Sequence, residues 1–280
     1  MTKGAVLIAR NNSQVDYIKQ AIFCARRIIK HLEIPVTLIT DNVSYFEKNY
    51  QDDIDVFDNV IEIPSSSDYY HKSYRDGLFS RSNLEFKNTS RCDVFELTPY
   101  EQTLLMDTDF IIGNSDLKSA FVQQKNLLLY KDAFDLAGWR NVDEFKYISP
   151  NSIDFYWATV VYFKKTTETK YFFDLIKHIQ KNWHHYRSVY QISNVTFRND
   201  FAFSIAAHII GGFTTNDFIG KMPGTMYYTI DKDICHDIQN DDYKFLVEHT
   251  NSSGYFPVVI KNSSVHIMNK FSLNRVIDES

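Results

Sequence analysis

Ala5-Val-Leu-Ile-Ala9, Val15-Asp-Tyr-Ile-Lys-Gln-Ala-Ile-Phe-Cys-Ala-Arg-Arg-Ile-Ile-Lys-His-Leu32 and Val36-Thr-Leu-Ile-Thr40 are the stretch that decides the fold class. The first run is apolar but too short for a helix, so it reads as a buried strand. Asn11-Asn12-Ser13 then supplies turn and N-cap chemistry. Val15, Ile18, Ile22, Ala25, Ile29 and Leu32 recur at alternating spacings of three and four, which define one helix face. Pro35 ends that region, and residues 36–40 form a second apolar run. A strand, a helix and a strand in this order predict parallel pairing through a right-handed crossover.

Working outward, Val60-Ile-Glu-Ile63 reads as a third strand. Residues 64–90 are polar and aromatic without periodicity, and fit either a surface loop or a flexible segment over a ligand. Asp93 to Leu97 reads as the end of a helix before Pro99. Glu101-Gln-Thr-Leu-Leu-Met106, Leu127-Leu-Leu-Tyr130 and Ala158-Thr-Val-Val-Tyr-Phe163 read as buried strands. Phe172, Leu175, Ile176, Ile179, Trp183 and Tyr186 mark one more helical stripe. Residues 200–210 are apolar nearly all round and predict a buried helix stopping at Gly211-Gly212. Val258-Val-Ile260 and Val265-His-Ile-Met268 close the chain as short strands. The expected fold is α/β: one domain over residues 1–280, with a C-terminal elaboration.

Composition narrows the function. The formal charge of −5 argues against a protein that coats nucleic acid nonspecifically, while leaving room for a local basic patch. Cys24, Cys92 and Cys235 are an odd, scattered set and read as reduced thiols, not a disulfide frame or a zinc site. No apolar run reaches membrane-spanning length and no signal-peptide core opens the chain, so a cytoplasmic protein is expected. Phosphate-binding glycine loops, dinucleotide fingerprints and nucleophile elbows do not occur.

Asp107-Thr108-Asp109 directly follows the strand at 101–106. Two carboxylates one residue apart at a strand end can jointly hold a hard divalent cation. Such a cation would neutralise the diphosphate of a nucleotide-activated donor. The pattern also occurs at Asp53/Asp55 and Asp231/Asp233, but only the middle pair follows an apolar strand. An ordinary strand-to-turn transition has the same letters. Sites in open sheets gather at the carboxyl ends of strands. Arg10 and Asp41 follow the first two strands, and His266 lies in the last apolar run with Asn269 and Lys270 just after it.

On residues 5–42, on Leu97-Thr-Pro-Tyr-Glu-Gln-Thr-Leu-Leu-Met-Asp-Thr-Asp109 and on Val265-His-Ile-Met-Asn-Lys270, the chain resembles GT-A glycosyltransferases. It looks most like the family 8 nucleotide-sugar transferases and their compact tailed-phage relatives. The resemblance implies a mixed, mostly parallel sheet flanked by helices. It implies a metal, Mn²⁺ with Mg²⁺ as the alternative, on Asp107, Asp109 and His266, since imidazole suits transition ions better than Ca²⁺. It implies a nucleotide-sugar donor, UDP-linked, whose diphosphate meets Thr108 and Lys270. Arg10 and Asp41 would grip the nucleoside, Arg91 would face the donor and Asp200 would orient the sugar or act in catalysis. The lysine departs from the family pattern H-x-x-G-x-x-K: it stands four residues after the histidine, with Asn269 near the glycine's place.

The residues leave other readings open. Asp200 is equally an N-cap, Asp41 a turn residue, Arg91 a solvated helix arginine and His266 a core histidine. Tyr156-Trp157 either stacks on an acceptor or packs. A nucleotidyltransferase-like protein could use the same carboxylates, and a non-catalytic sugar-binding module is the third class. The phage resemblance suggests modified DNA as acceptor, 5-hydroxymethylcytosine in particular, with Arg75, Arg81, Lys87 and Arg91 as its local positive charge. A surface glycan or protein is the competing acceptor.

Overall fold

The computed structural model describes the chain except residues 66–69, 78, 87–88, 139–144, 151, 195, 215–216, 250–253 and 280. In chain order the elements are β1 (Lys3–Ala9), α1 (Tyr17–Leu32), β2 (Val36–Thr40), α2 (Val43–Asn49) and β3 (Asn59–Glu62). Then come β4 (Tyr70–Arg75), β5 (Arg81–Phe86), α3 (Val94–Leu97), β6 (Gln102–Met106), β7 (Phe110–Ile111), β8 (Leu127–Tyr130), β9 (Ala133–Asp135) and β10 (Trp157–Lys164). The remainder is α4 (Thr167–Lys181), α5 (Trp183–Val189), α6 (Asn199–Ile210), β11 (Ile219–Lys221), β12 (Met226–Tyr228), β13 (Ile234–Gln239), β14 (Asp242–Glu248), β15 (Tyr255–Lys261), β16 (Ser264–His266) and α7 (Lys270–Glu279).

The central sheet has seven strands in the order β11-β8-β10-β6-β1-β2-β3. Only β10 runs antiparallel to its neighbours; all other pairs are parallel. The mixed, mostly parallel sheet flanked by helices that the sequence leads one to expect is therefore what forms. Ala5↔Val36 through Ala9↔Thr40 sets the β1–β2 register, as the strand–helix–strand reading requires. Both strands are buried almost throughout, as parallel strands under helices must be. The buried apolar residues form one connected cluster from Ala5 to Val276.

A smaller sheet, β7-β16-β12-β9, stands beyond the carboxyl end of β6. It brings the end of the chain to the middle: β16 pairs antiparallel with β7 through Val265↔Ile111 and His266↔Phe110. A β13-β14-β15 meander, which the sequence reading missed except for β15, packs against α7. The chain does not close on strands. It closes on α7, where Asn269 Oδ1 accepts the Ser272 amide at 3.0 Å and so caps the helix. Its apolar pattern is too short to give a period.

Two further differences have local causes. The stripe from Phe172 to Tyr186 is split into α4 and α5 at Asn182, whose side-chain amide donates to the His178 carbonyl at 2.9 Å. Residues 70–86 are not a loop. Strands β4 and β5 form a hairpin in register Tyr70↔Phe86 to Arg75↔Arg81, although the sequence lacks apolar alternation there.

The turn into α1 uses both asparagines, but the cap is Asp16. Asn12 Oδ1 accepts the Val15 amide at 2.7 Å and Asn11 Oδ1 accepts the Ile18 amide at 3.0 Å. Asp16 accepts the Lys19 amide at 3.0 Å and the hydroxyls of Tyr45 and Tyr50 at 2.8 and 2.6 Å. It thus caps α1 and ties it to the α2 region. Burial opposes its ionisation, but Tyr50, the Lys19 amide, Tyr45 and Asn11 together hold the carboxyl below its ordinary range. A depressed folded value adds stability above the unfolded pKa and loses it as pH falls through the folded value. Asp16→Ala is expected to cost about 1–2 kcal/mol at pH 7, measured by urea unfolding. The gap to wild type should shrink below about pH 4; a gap independent of pH would contradict this assignment.

Candidate active site

The carboxyl ends of β1 and β6, the start of β10 and the end of β16 converge on a cavity of about 610 Å³. Arg10, Arg91, Asp107, Thr108, Asp109, Asp200, His266 and Lys270 all line it. Eight of the nine residues singled out in the sequence therefore meet in one place. Asp41 does not line it; it stands 3.8 Å behind Arg10 Nε, with both side chains 5% exposed. A second, shallower depression lies around Lys125 and Gly220, away from these residues.

The Asp107–Asp109 turn is fixed by backbone bonds. The Asp107 amide donates to the Thr159 carbonyl on β10, and the Ile267 amide donates to the Asp109 carbonyl, both at 2.9 Å. The Phe110 amide closes the turn on the Asp107 carbonyl at 3.1 Å. The side chains then divide. Asp107 is 36% exposed and faces the cavity, whereas Asp109 is 4% exposed and forms its floor.

Each carboxylate has its own cation. Arg91 Nη1 meets Asp107 Oδ1, and Lys270 Nζ meets Asp109 Oδ2. His266 Nε2 stands 3.5 Å from Asp109 Oδ2, while its Nδ1 is 3.4 Å from the Thr159 hydroxyl. Burial opposes the charge on Asp109, but Lys270 and His266 hold its carboxyl far below the usual range. Asp107 is pushed the other way by burial, against Arg91 and with the Asp109 charge adding to the rise.

Asp107, Asp109 and His266 present one donor atom each within 4.8 Å of one another. Two donors bound to one small divalent ion lie about 3–4 Å apart, so the three fit such an ion with slight side-chain movement. Oxygen donors with one imidazole suit Mn²⁺-like ions. Neither other D-x-D match offers this. Asp53 pairs with Arg26, and the Asp233 carboxylate accepts the amides of Ile230 and Glu248 at 3.0 Å each. Asp231 does line the cavity.

Helix α1 holds the turn from below. Gln20, Cys24 and Arg27 share one helix face and meet residues 108, 110 and 112 in turn. Thr108 Oγ1 donates to Gln20 Oε1 at 3.5 Å, Cys24 Sγ to the Phe110 carbonyl at 3.3 Å and Arg27 Nε to the Ile112 carbonyl at 3.1 Å. One helical turn advances about 5.4 Å and two strand residues about 6.7 Å, so the two periods keep step over this short run. Gln20 Nε2 also reaches the Lys270 carbonyl and Asn274 Oδ1, at 3.2 and 2.7 Å. Sequence reading passed over Gln20; a polar residue at a wholly buried helix position was its signal.

Arg91 is not the solvated helix arginine of the alternative reading. It is 5% exposed, and Nη2 donates to the Thr159 carbonyl at 3.0 Å and to that of Ala158. Asp200 is also committed: Oδ1 accepts the Ala158 amide and Oδ2 the Arg198 guanidinium, each at 2.9 Å. Trp157 is 1% exposed and packs among Phe145, Phe155 and Tyr228, so it fills the core and does not stack in the open. Arg10 Nε and Nη1, Arg91 Nε and Trp157 Nε1 are buried donors without a hydrogen-bond partner among the described residues. All three residues line the cavity, where a ligand rich in acceptors would satisfy them.

No protein-family model matches the chain, and no curated protein does. Among solved structures it is similar to the glycosyltransferase GlyE of Streptococcus pneumoniae TIGR4, at 13% identity and a TM-score of 0.43. That likeness covers 79% of this chain and 45% of GlyE, so the chain spans less than half of GlyE's length. It is similar to the galactosyltransferase LgtC, crystallised with donor and acceptor sugar analogs, at 12% identity, TM-score 0.45, over 78% of this chain and 72% of that one. It is also similar to mouse xyloside xylosyltransferase 1, at 6% identity, TM-score 0.45, over 79% and 85% of the two chains. Likenesses this distant assign no activity, and the chemistry rests on the side chains themselves.

Mn²⁺ is expected to bind and raise the melting temperature, with His266→Ala weakening the titration at least about tenfold. Asp109→Asn should remove the effect. An unchanged Mn²⁺ titration in His266→Ala would return that residue to the core.

Proposed function

We propose that residues 1–280 are a GT-A glycosyltransferase domain that takes a hexosyl or pentosyl group from a UDP-linked donor, with Mn²⁺ (Mg²⁺ as the alternative) on Asp107, Asp109 and His266. The observation that carries this reading is the Asp-Asp-His cluster on the floor of a large cavity at strand carboxyl ends. A bound cation neutralises the diphosphate and stabilises it as a leaving group. Lys270, now on Asp109, is within reach to meet the same phosphates. Arg10 offers its buried Nη1, which has no hydrogen-bond partner among the described residues, to the nucleoside, with Asp41 behind Nε to keep the guanidinium oriented. Arg91 holds Asp107 in place, and Asp200, which lines the cavity from the first turn of α6, is the carboxylate we assign to orienting the sugar or to catalysis. The burial of these groups keeps water from competing for the phosphates and the reacting carbon.

For the acceptor we propose the hydroxymethyl oxygen of 5-hydroxymethylcytosine in DNA, in the cytoplasm of the cell that makes the enzyme. Arg91 is taken up by Asp107, Lys87 lies outside the described residues, and Arg75 and Arg81 remain as local positive charge.

Asp107→Ala and Asp109→Ala should each lower nucleotide-sugar hydrolysis at least about 100-fold, with an unchanged circular dichroism spectrum. EDTA should have the same effect on wild type and Mn²⁺ should reverse it. Full activity in EDTA would overturn the metal-dependent reading. Hydroxymethylated and unmodified DNA are then incubated with a donor panel and the nucleosides weighed by mass spectrometry. Absence of any sugar adduct, with hydrolysis intact, would remove DNA as acceptor and leave the transferase.

A further inference from the structure

The hairpin β4–β5 crosses beside the cavity. Ser73 on β4 lines the cavity wall. At the turn, Asp76 accepts Asn269 Nδ2 at 3.0 Å and Arg275 at 2.5 and 3.2 Å, which docks the tip on the start of α7. Gly77, at φ +86, permits the turn, and the Asp76 amide donates to the Ser80 carbonyl at 3.3 Å. The tip is therefore held by the same helix that carries Lys270.

Two features of this anchored tip stand out among the described residues. Phe79 is 99% exposed, at a place where burial of a phenyl ring would be worth about 2 kcal/mol. Arg75 and Arg81 stand directly opposite one another in the hairpin register. Like charges directly opposite weaken a two-stranded pair, and a polyanion between them would turn the repulsion into attraction. An exposed aromatic ring in a turn flanked by two arginines suits an unstacked base and its neighbouring phosphates.

We propose that this tip engages a DNA acceptor: Phe79 fills the space left by an unstacked base beside the modified one, while Arg75 and Arg81 meet the adjoining phosphates. The inference rests on the DNA-acceptor reading above. It gives that reading a way to free the modified base from its stack, so that its hydroxymethyl oxygen can enter the cavity. An anionic membrane surface is the rival partner, but one described exposed ring with two arginines offers little apolar area for insertion.

The test uses the full chain with duplex DNA that carries 5-hydroxymethylcytosine next to 2-aminopurine. Wild type should bind, and the 2-aminopurine should brighten as it unstacks. Phe79→Ala should weaken binding about tenfold, the scale of one lost base–aromatic stack, and abolish the brightening. Phe79→Trp should retain both. Arg75→Gln with Arg81→Gln should flatten the salt dependence of binding by about two in log–log slope. Nucleotide-sugar hydrolysis should stay at the wild-type level in all variants. Wild-type binding and brightening in Phe79→Ala would overturn the inference and leave the DNA acceptor standing. Wild type that binds no DNA would remove both, while intact hydrolysis would keep the transferase. Binding to phosphatidylserine vesicles that requires Phe79, without binding to DNA, would also overturn it.

Discussion

Two carboxylates one residue apart, one buried in the floor of a cleft and one facing into it, repel each other, and this chain is built to hold them there. The repulsion is offset by a pair of cations from distant parts of the sequence. Arg91 lies 16 residues before Asp107, and Lys270 lies 161 residues after Asp109. Neither cation alone suffices: without Arg91, Asp107 would face the Asp109 charge unaided, and without Lys270, Asp109 would be an uncompensated buried anion. The two carboxyls are displaced in opposite directions, Asp109 below its ordinary range by Lys270 and His266 and Asp107 above it by burial and the Asp109 charge.

Much of the surrounding architecture serves to keep these four groups together. Gln20, Cys24 and Arg27 on α1 grip residues 108, 110 and 112, and Gln20 also reaches the backbone of Lys270. The two-residue pairing of β16 with β7 sets His266 beside Asp109. Arg91 bridges Asp107 to the carbonyls of Ala158 and Thr159 at the start of β10, and Asp200 accepts the Ala158 amide from the other side. Site and scaffold thus share parts. Substitutions at Gln20 or Arg91 would disturb both, which makes folding controls indispensable in any activity measurement on them.

The buried donors that go without partners are as telling as the paired ones. An unmet buried N–H is costly, and the arginines and tryptophan that carry them all line the cavity. The protein holds its polar groups ready in a pre-formed space, as an acceptor-rich ligand such as a nucleoside diphosphate requires.

Sequence by itself determined the elements with strong periods. The strand–helix–strand at the N-terminus, the buried strands at 102–106, 127–130 and 157–164 and the helix at 199–210 were all legible, because burial on both faces leaves only apolar runs. It also pointed to Arg10, Asp107, Asp109, His266 and Lys270 through their places at or just after apolar runs, while the family resemblance added Arg91, Thr108 and Asp200. It did not reveal the hairpin at 70–86, whose pairing follows from register and docking and not from alternation. Nor did it reveal the break at Asn182, where one side-chain hydrogen bond outweighs an unbroken apolar stripe, or α7, too short for a period. Only the tertiary structure decided that Arg91 serves Asp107 and that Gln20 joins two ends of the chain. Those contacts span 16 to 254 residues, and local pattern carries no information about which distant partner a buried charge will find.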